Sequence, residues 1–105
     1  MILYNITINV DSDIHEEWLD WIRNKHIPDV LSTGLFIENK ICKIHAEEEG
    51  GVSYSIQYLL KNWENYNSYL DQYAMKLQKE HLDRYLNKFA AFRTVLEVIH
   101  HSVVS

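Results

Sequence analysis

The chain has 105 residues, of which 47 % are apolar and 24 % charged, with a formal net charge of −5; this is the balance of an ordinary globular protein and, by length, of one domain. The acidic balance, with a pI near 5.6, removes the general attraction that nucleic acid and anionic membrane surfaces exert on basic proteins, and no run approaches the roughly 18 consecutive apolar residues of a membrane-crossing helix. Cys42 is alone, which excludes an internal disulfide and gives no CxxC signature for a metal or a redox pair, so the expected compartment is a reducing cytoplasm.

Ile2, Tyr4, Ile6, Ile8 and Val10 alternate with Leu3, Asn5, Thr7 and Asn9, the period of two of a strand with one side against a dry layer. Asp13 then stands where it can cap a helix, with Glu16 reaching back. Ile14, Trp18, Trp21, Ile22 and His26 follow at steps of three and four, which makes the helix amphipathic. Pro28 lacks an amide hydrogen and disfavours helical geometry at Ile27, so the helix is expected to end or kink there, with one further turn at most before Gly34 stops it. From Leu35 to about Ala46 the chain reads as extended. Glu47 to Glu49 read as a solvated hairpin tip that discourages edge pairing, and Gly50 and Gly51 turn the chain into VSYSIQYLL, a second strand of the same hairpin.

Asn62 is placed to cap a second helix, in which Trp63, Tyr66, Tyr73, Leu77 and His81 share a face. This helix gives way near Asn87 to a last strand, where Phe92, Thr94 and Leu96 alternate with Arg93, Val95 and Glu97. The order is βαββαβ, that of a ferredoxin-like α+β domain over residues 1–105: a four-stranded antiparallel sheet with both helices on one face. The other sheet face is expected to mix Leu3, Thr7 and Val95 with polar Asn5, Gln57, Arg93 and Glu97. Such a face suits a homodimer in which a second sheet closes over it.

The aromatic helix faces are the chemical signal. Trp18, Trp21 and Ile22 on the first helix, with Trp63, Tyr66, Tyr73 and His81 on the second, would frame a cleft for a small aromatic or partly apolar metabolite. His26 is the catalytic candidate, because an imidazole with a pKa near ~6.5 exchanges protons at neutral pH. Tyr4, Tyr54 and Tyr58 could add hydroxyls, the faces of the last two depending on strand register. Against this stands a packing role, in which each histidine buries its ring and satisfies a nitrogen on backbone groups such as the carbonyls freed by Pro28. A metal site at His15 with Glu16, or at His100 with His101, is not expected, since neighbouring residues on a strand point to opposite faces. No cofactor or phosphate-binding motif is present. RNA-recognition modules share this element order, but GVSYSIQYL lacks the basic first residue and Gly-Phe core of their motif.

MILYNITINV, EWLDWIRNKHIPDVLSTGLF, SYSIQY, LQKEHLDRY and FAAFRTVLEV together resemble an uncharacterised bacterial family, domain of unknown function 4286, over nearly the whole chain. The resemblance implies a dimeric α/β barrel, two sheets facing one another in a homodimer, and no named activity. The His-x-Pro at Lys25-His26-Ile27-Pro28 is similar to the helix-end His-x-Pro of EthD-like barrels, whose relatives include cofactor-independent monooxygenases and small-molecule isomerases. Three readings therefore stand: a metabolite-binding barrel, an enzyme of that kind, and a structural or interaction module without a ligand.

Overall fold

The alternation at the amino terminus becomes the central strand of a sheet. β1 (Ile2–Asp11) pairs antiparallel with β3 (Gly51–Leu60) on one side and with β4 (Phe89–Glu97) on the other. β2 (Phe36–Lys43) adds outside β3, so the order is β2-β3-β1-β4. The computed structural model describes residues 1–46 and 50–105; the acidic hairpin tip expected at Glu47 to Glu49 lies outside the described residues. Two helices, residues 15–31 and 63–84, cover one face of the sheet and complete the ferredoxin-like α+β architecture.

The buried layer lies between that face and the helices. Ile2, Tyr4, Ile8 and Val10 of β1 meet Tyr54, Ile56, Tyr58 and Leu60 of β3, and Trp18, Ile22 and Val30 close the layer from the first helix. Burying an aliphatic side chain of this size contributes about 1.5–3 kcal/mol, so the alternation in β1 and β3 fixes which face is covered.

Both helices contain one wide turn. The first runs as His15–Trp21, a π-helical turn Ile22–His26, and Ile27–Leu31 without interruption. The helix does not end at Pro28, and the irregularity expected there takes the form of the wide turn that precedes it. Ile27 keeps right-handed helical angles, and its amide reaches back five residues to the Ile22 carbonyl. Proline in a regular helix removes a hydrogen bond and presses its ring on the carbonyl four residues earlier; a wide turn immediately before it is a recognised way of accommodating such a residue. The helix then stops at Gly34, whose φ of 77° is the left-handed geometry that glycine adopts without strain. The expected Asp13 cap is also absent: Ile14 occupies the N-cap with no side-chain hydrogen bond. In the second helix the cap is as read, the Asn62 side chain accepting from the Asn65 amide at 2.9 Å. Its wide turn is Leu70–Ala74, and Asn87, with φ of 64°, follows its end.

The register of β4 corrects one expectation. Tyr4 lies opposite Val95 and Ile6 opposite Arg93, while Leu3 and Thr7 lie opposite Leu96 and Phe92. Arg93, Val95 and Glu97 therefore stand on the helix side, not on the outer face. β4 is an edge strand with most residues exposed, so its own apolar alternation does not report burial; pairing with β1 decides, and a shift of one residue exchanges the faces.

On the outer face, Leu3, Leu59 and Leu96 sit side by side. Beyond them a polar ladder runs across β1 and β3, with Ser55 Oγ donating to Asn5 Oδ1 at 2.6 Å and Asn9 Nδ2 donating to Ser53 Oγ at 3.0 Å. Phe92 is 62 % exposed and Leu96 44 % exposed on this face.

Candidate functional site

Two aromatic groups form beneath the helices. In one, Tyr4 packs against Tyr58, Tyr66 and Tyr69, with Phe36 at 5.0 Å from Tyr69. In the other, His81 lies among Trp18, Trp21, Tyr85 and Phe89, and His26 stacks on Trp21 with ring centroids 5.3 Å apart. The two histidine rings are 5.9 Å apart.

The two imidazoles are held in different ways. Trp18 Nε1 donates to His81 Nε2 at 2.9 Å, entirely within the buried layer. An indole N–H only donates, so Nε2 must be the unprotonated nitrogen and a neutral His81 carries its proton on Nδ1. Burial, reinforced by the nearby His26 and Arg93, pushes the His81 pKa down to about 4. His26 is also lowered by burial, with the carboxylates of Glu80 and Asp29 pulling in the opposite direction. Both rings are therefore neutral at pH 7. His26 Nδ1 and the Tyr58 hydroxyl are buried with no hydrogen-bond partner among the described residues, and burial drives the Tyr58 pKa far up, so it remains a phenol.

These two unpaired groups line the same cavity, between the wide turn of the first helix and the sheet. Its volume is about 50 Å³. That is room for roughly three to five waters, and it falls short of the roughly 300 Å³ at which pockets enclosing a whole metabolite begin. Tyr4, Tyr69, Gln78 and Arg93 supply the other polar groups of the wall. Burial raises the Tyr4 pKa, and the adjacent Arg93 draws it back.

Of the residues singled out from the sequence, Tyr4, Ile22, His26, Tyr58 and His81 reach this cavity. Trp18 and Trp21 support the histidines from the side. Trp63 is 47 % exposed and touches Tyr66, which meets Tyr4 edge-on. Tyr73 belongs to a separate outer cleft between the helices, with Lys25, Asp29, Lys76 and Glu80. Three polar wall residues, Tyr69, Gln78 and Arg93, were not anticipated for the site. Tyr69 and Gln78 follow the helical steps from Tyr66 to Tyr69 and from Ala74 to Gln78, while Arg93 follows from counting β4 by twos from Phe89. Tyr58 was anticipated, and the pairing of β3 with β1 now turns it inward opposite Tyr4. Among the described residues no group of three or more His, Cys, Asp or Glu could hold a metal ion, and no helix is long and apolar enough to cross a membrane.

Fold and cavity together define a ferredoxin-like α+β protein with a small polar-walled cavity between its helices and sheet. The chain belongs to the family described as Domain of unknown function (DUF4286), whose model matches residues 1–99. No curated relative matches the sequence. Among solved structures it is similar to HapK from Hahella chejuensis, at TM-score 0.73 and 7 % identity, covering 100 % of this chain and 99 % of that one. A dimeric ferredoxin-like protein from an uncultured marine organism matches at TM-score 0.72 and 17 % identity, covering 99 % and 100 %. A variant of SnoaB, a cofactor-independent oxygenase from Streptomyces nogalater, matches at TM-score 0.67 and 8 % identity, covering 95 % of each chain. At these identities the likeness establishes the shared fold.

Proposed function

We propose that the protein is a cytoplasmic homodimeric α/β barrel that binds a small aromatic or partly apolar metabolite at the cavity beneath its helices, with His26 as the reactive or orienting group. The observation that carries this reading is the pair of unpartnered buried groups, His26 Nδ1 and the Tyr58 hydroxyl, in one cavity wall. An unsatisfied buried polar group costs about 1–3 kcal/mol. The cavity they line has room for a few waters, so water offsets that cost in the free protein, and a ligand's polar atoms can take the waters' place. A neutral imidazole has one nitrogen that accepts and one that donates, and a phenol that stays protonated donates a hydrogen bond. This pair suits orienting an oxygen atom or moving a proton, and the fold shared with SnoaB is compatible with oxygen chemistry.

The dimer rests on the exposed Phe92 and Leu96 of the outer sheet face and on the dimeric relative of the same fold. The half-buried lone Cys42 suits a reducing compartment. A second reading, a structural or interaction module without a ligand, is favoured by the small cavity volume. A thermal-shift screen of metabolites on wild type and His26→Ala separates the two. A ligand at about 100 times its dissociation constant adds roughly 2.7 kcal/mol, and the binding reading expects hits whose shift is lost in the variant. Hits that shift both proteins equally would remove His26 from the site, and a screen without hits favours the module.

A further inference from the structure

We infer that the cavity takes the carboxylate end of its ligand, with Arg93 as the anchoring cation. This rests on the binding reading above and adds the charge and shape of the bound group.

Charge is unevenly distributed over the molecule. The chain carries a net −5, yet the cavity wall contains one formally charged side chain, Arg93, and no carboxylate among the described residues. The outer cleft between the helices is different: there Lys25 and Lys76 accompany Asp29 and Glu80. Arg93 makes no ion pair among the described residues and lies within hydrogen-bonding reach of the Tyr4 hydroxyl. Its field reaches Tyr4, His26, Tyr69 and His81 together, so the guanidinium faces the polar wall and not only bulk water. The bland alternative is a solvated rim arginine, since β4 is an edge strand and Arg93 is exposed. The Tyr4 hydroxyl gives the guanidinium a neutral partner on the helix side, opposite Ile6, and the cavity wall offers it no counter-ion among the described residues.

Shape narrows the ligand group. A guanidinium presents a planar fork of donors that matches a carboxylate through two parallel hydrogen bonds. With both histidines neutral, Arg93 is the wall's only source of positive charge among the described residues. The volume of about 50 Å³ has room for a group of a few heavy atoms, and one guanidinium balances the single charge of a carboxylate but leaves a phosphate's second charge without a cation in this wall. The rest of the molecule would extend from the cavity along the exposed β4 side. Inside the cavity the Tyr58 hydroxyl and Nδ1 of His26 face the bound group, with the Tyr4 hydroxyl beside Arg93.

The test uses benzoate and its uncharged isostere benzamide at constant ionic strength. Binding to wild type, Arg93→Gln and Arg93→Lys is followed through the ring signals of His26 and His81. Charge-assisted hydrogen bonds should make benzoate bind wild type about tenfold or more tighter than benzamide, with the preference shrinking to within about twofold in Arg93→Gln and partly kept in Arg93→Lys. Arg93 is exposed on an edge strand, so both variants keep the buried layer intact. Equal affinities for the two probes in wild type, or a preference that survives Arg93→Gln, would overturn the anchoring role and leave the binding reading standing. If neither probe moves the histidine signals, both fall.

Discussion

Lowering the pH from 8 to 5 places a load on His81 whose size follows from its surroundings. In the unfolded chain its imidazole has the ordinary pKa of 6.5, and in the native protein burial brings it to about 4. The unfolded state therefore binds the proton first, and stability falls as pH falls. The contribution is complete above pH 6.5, declines between 6.5 and about 4, and is constant below that. At pH 5 the unfolded imidazole is almost fully protonated and the native one is not, which amounts to a loss of about 2 kcal/mol relative to pH 8, with a limit of about 3 kcal/mol. For a chain of this size, about 2 kcal/mol lowers Tm by roughly 8–16 °C. Urea denaturation of wild type and His81→Gln at fixed protein concentration, between pH 8 and pH 5, isolates the effect. The substituted glutamine retains an acceptor for Trp18 Nε1 but does not titrate, and His26 contributes to both proteins. The wild-type curve should steepen below pH 6.5 relative to the variant. Parallel curves, or an NMR titration of the His81 ring near pH 6.5, would refute the reasoning, because either means that the ring is solvated in the native state.

Tyr58→Phe removes a buried hydroxyl that has no partner among the described residues, so the ligand-free protein should keep its stability or gain up to about 1 kcal/mol in urea denaturation; a loss of more than about 1 kcal/mol would show that the hydroxyl is satisfied within the fold. Phe92→Asp puts a charge on the outer sheet face while sparing the buried layer. It should convert a micromolar dimer to monomer in sedimentation velocity with little change in circular dichroism, and a wild-type monomer at that concentration would refute the dimer.

The fold was legible in the sequence because its decisive strands are covered on one face only. Ile2, Tyr4, Ile8 and Val10 are all buried, and their alternation could not be written for the opposite register. β4 was misread for the complementary reason. As an exposed edge strand it imposes no burial on Phe92 or Leu96, so the more apolar half of its alternation pointed to the wrong side. Arg93 was lost from the site with it. The first helix was found, but its behaviour at Pro28 was not: local propensity disfavours helical angles at Ile27, and the packing of Trp18, Ile22, Ile27 and Val30 into the buried layer overrides that preference through a wide turn. Tertiary burial outweighs a local penalty of this kind.

That wide turn also bears on the choice between packing and chemistry for the histidines. A packing role predicted that backbone carbonyls released by Pro28 would satisfy the ring of His26, but the turn instead ends at His26 with Nδ1 buried and unpaired. His81 behaves as a packing residue should, its Nε2 tied to Trp18. Two histidines 5.9 Å apart, similarly desolvated, thus differ in the one respect that matters for reactivity. Nε2 of His81 is engaged in holding the layer together, whereas no group among the described residues engages Nδ1 of His26. Replacing His81 should therefore register first in stability, and replacing His26 first in binding. Comparing urea midpoints and ligand-induced thermal shifts for His81→Gln and His26→Ala checks the division, and the reverse order would assign the two roles the other way round.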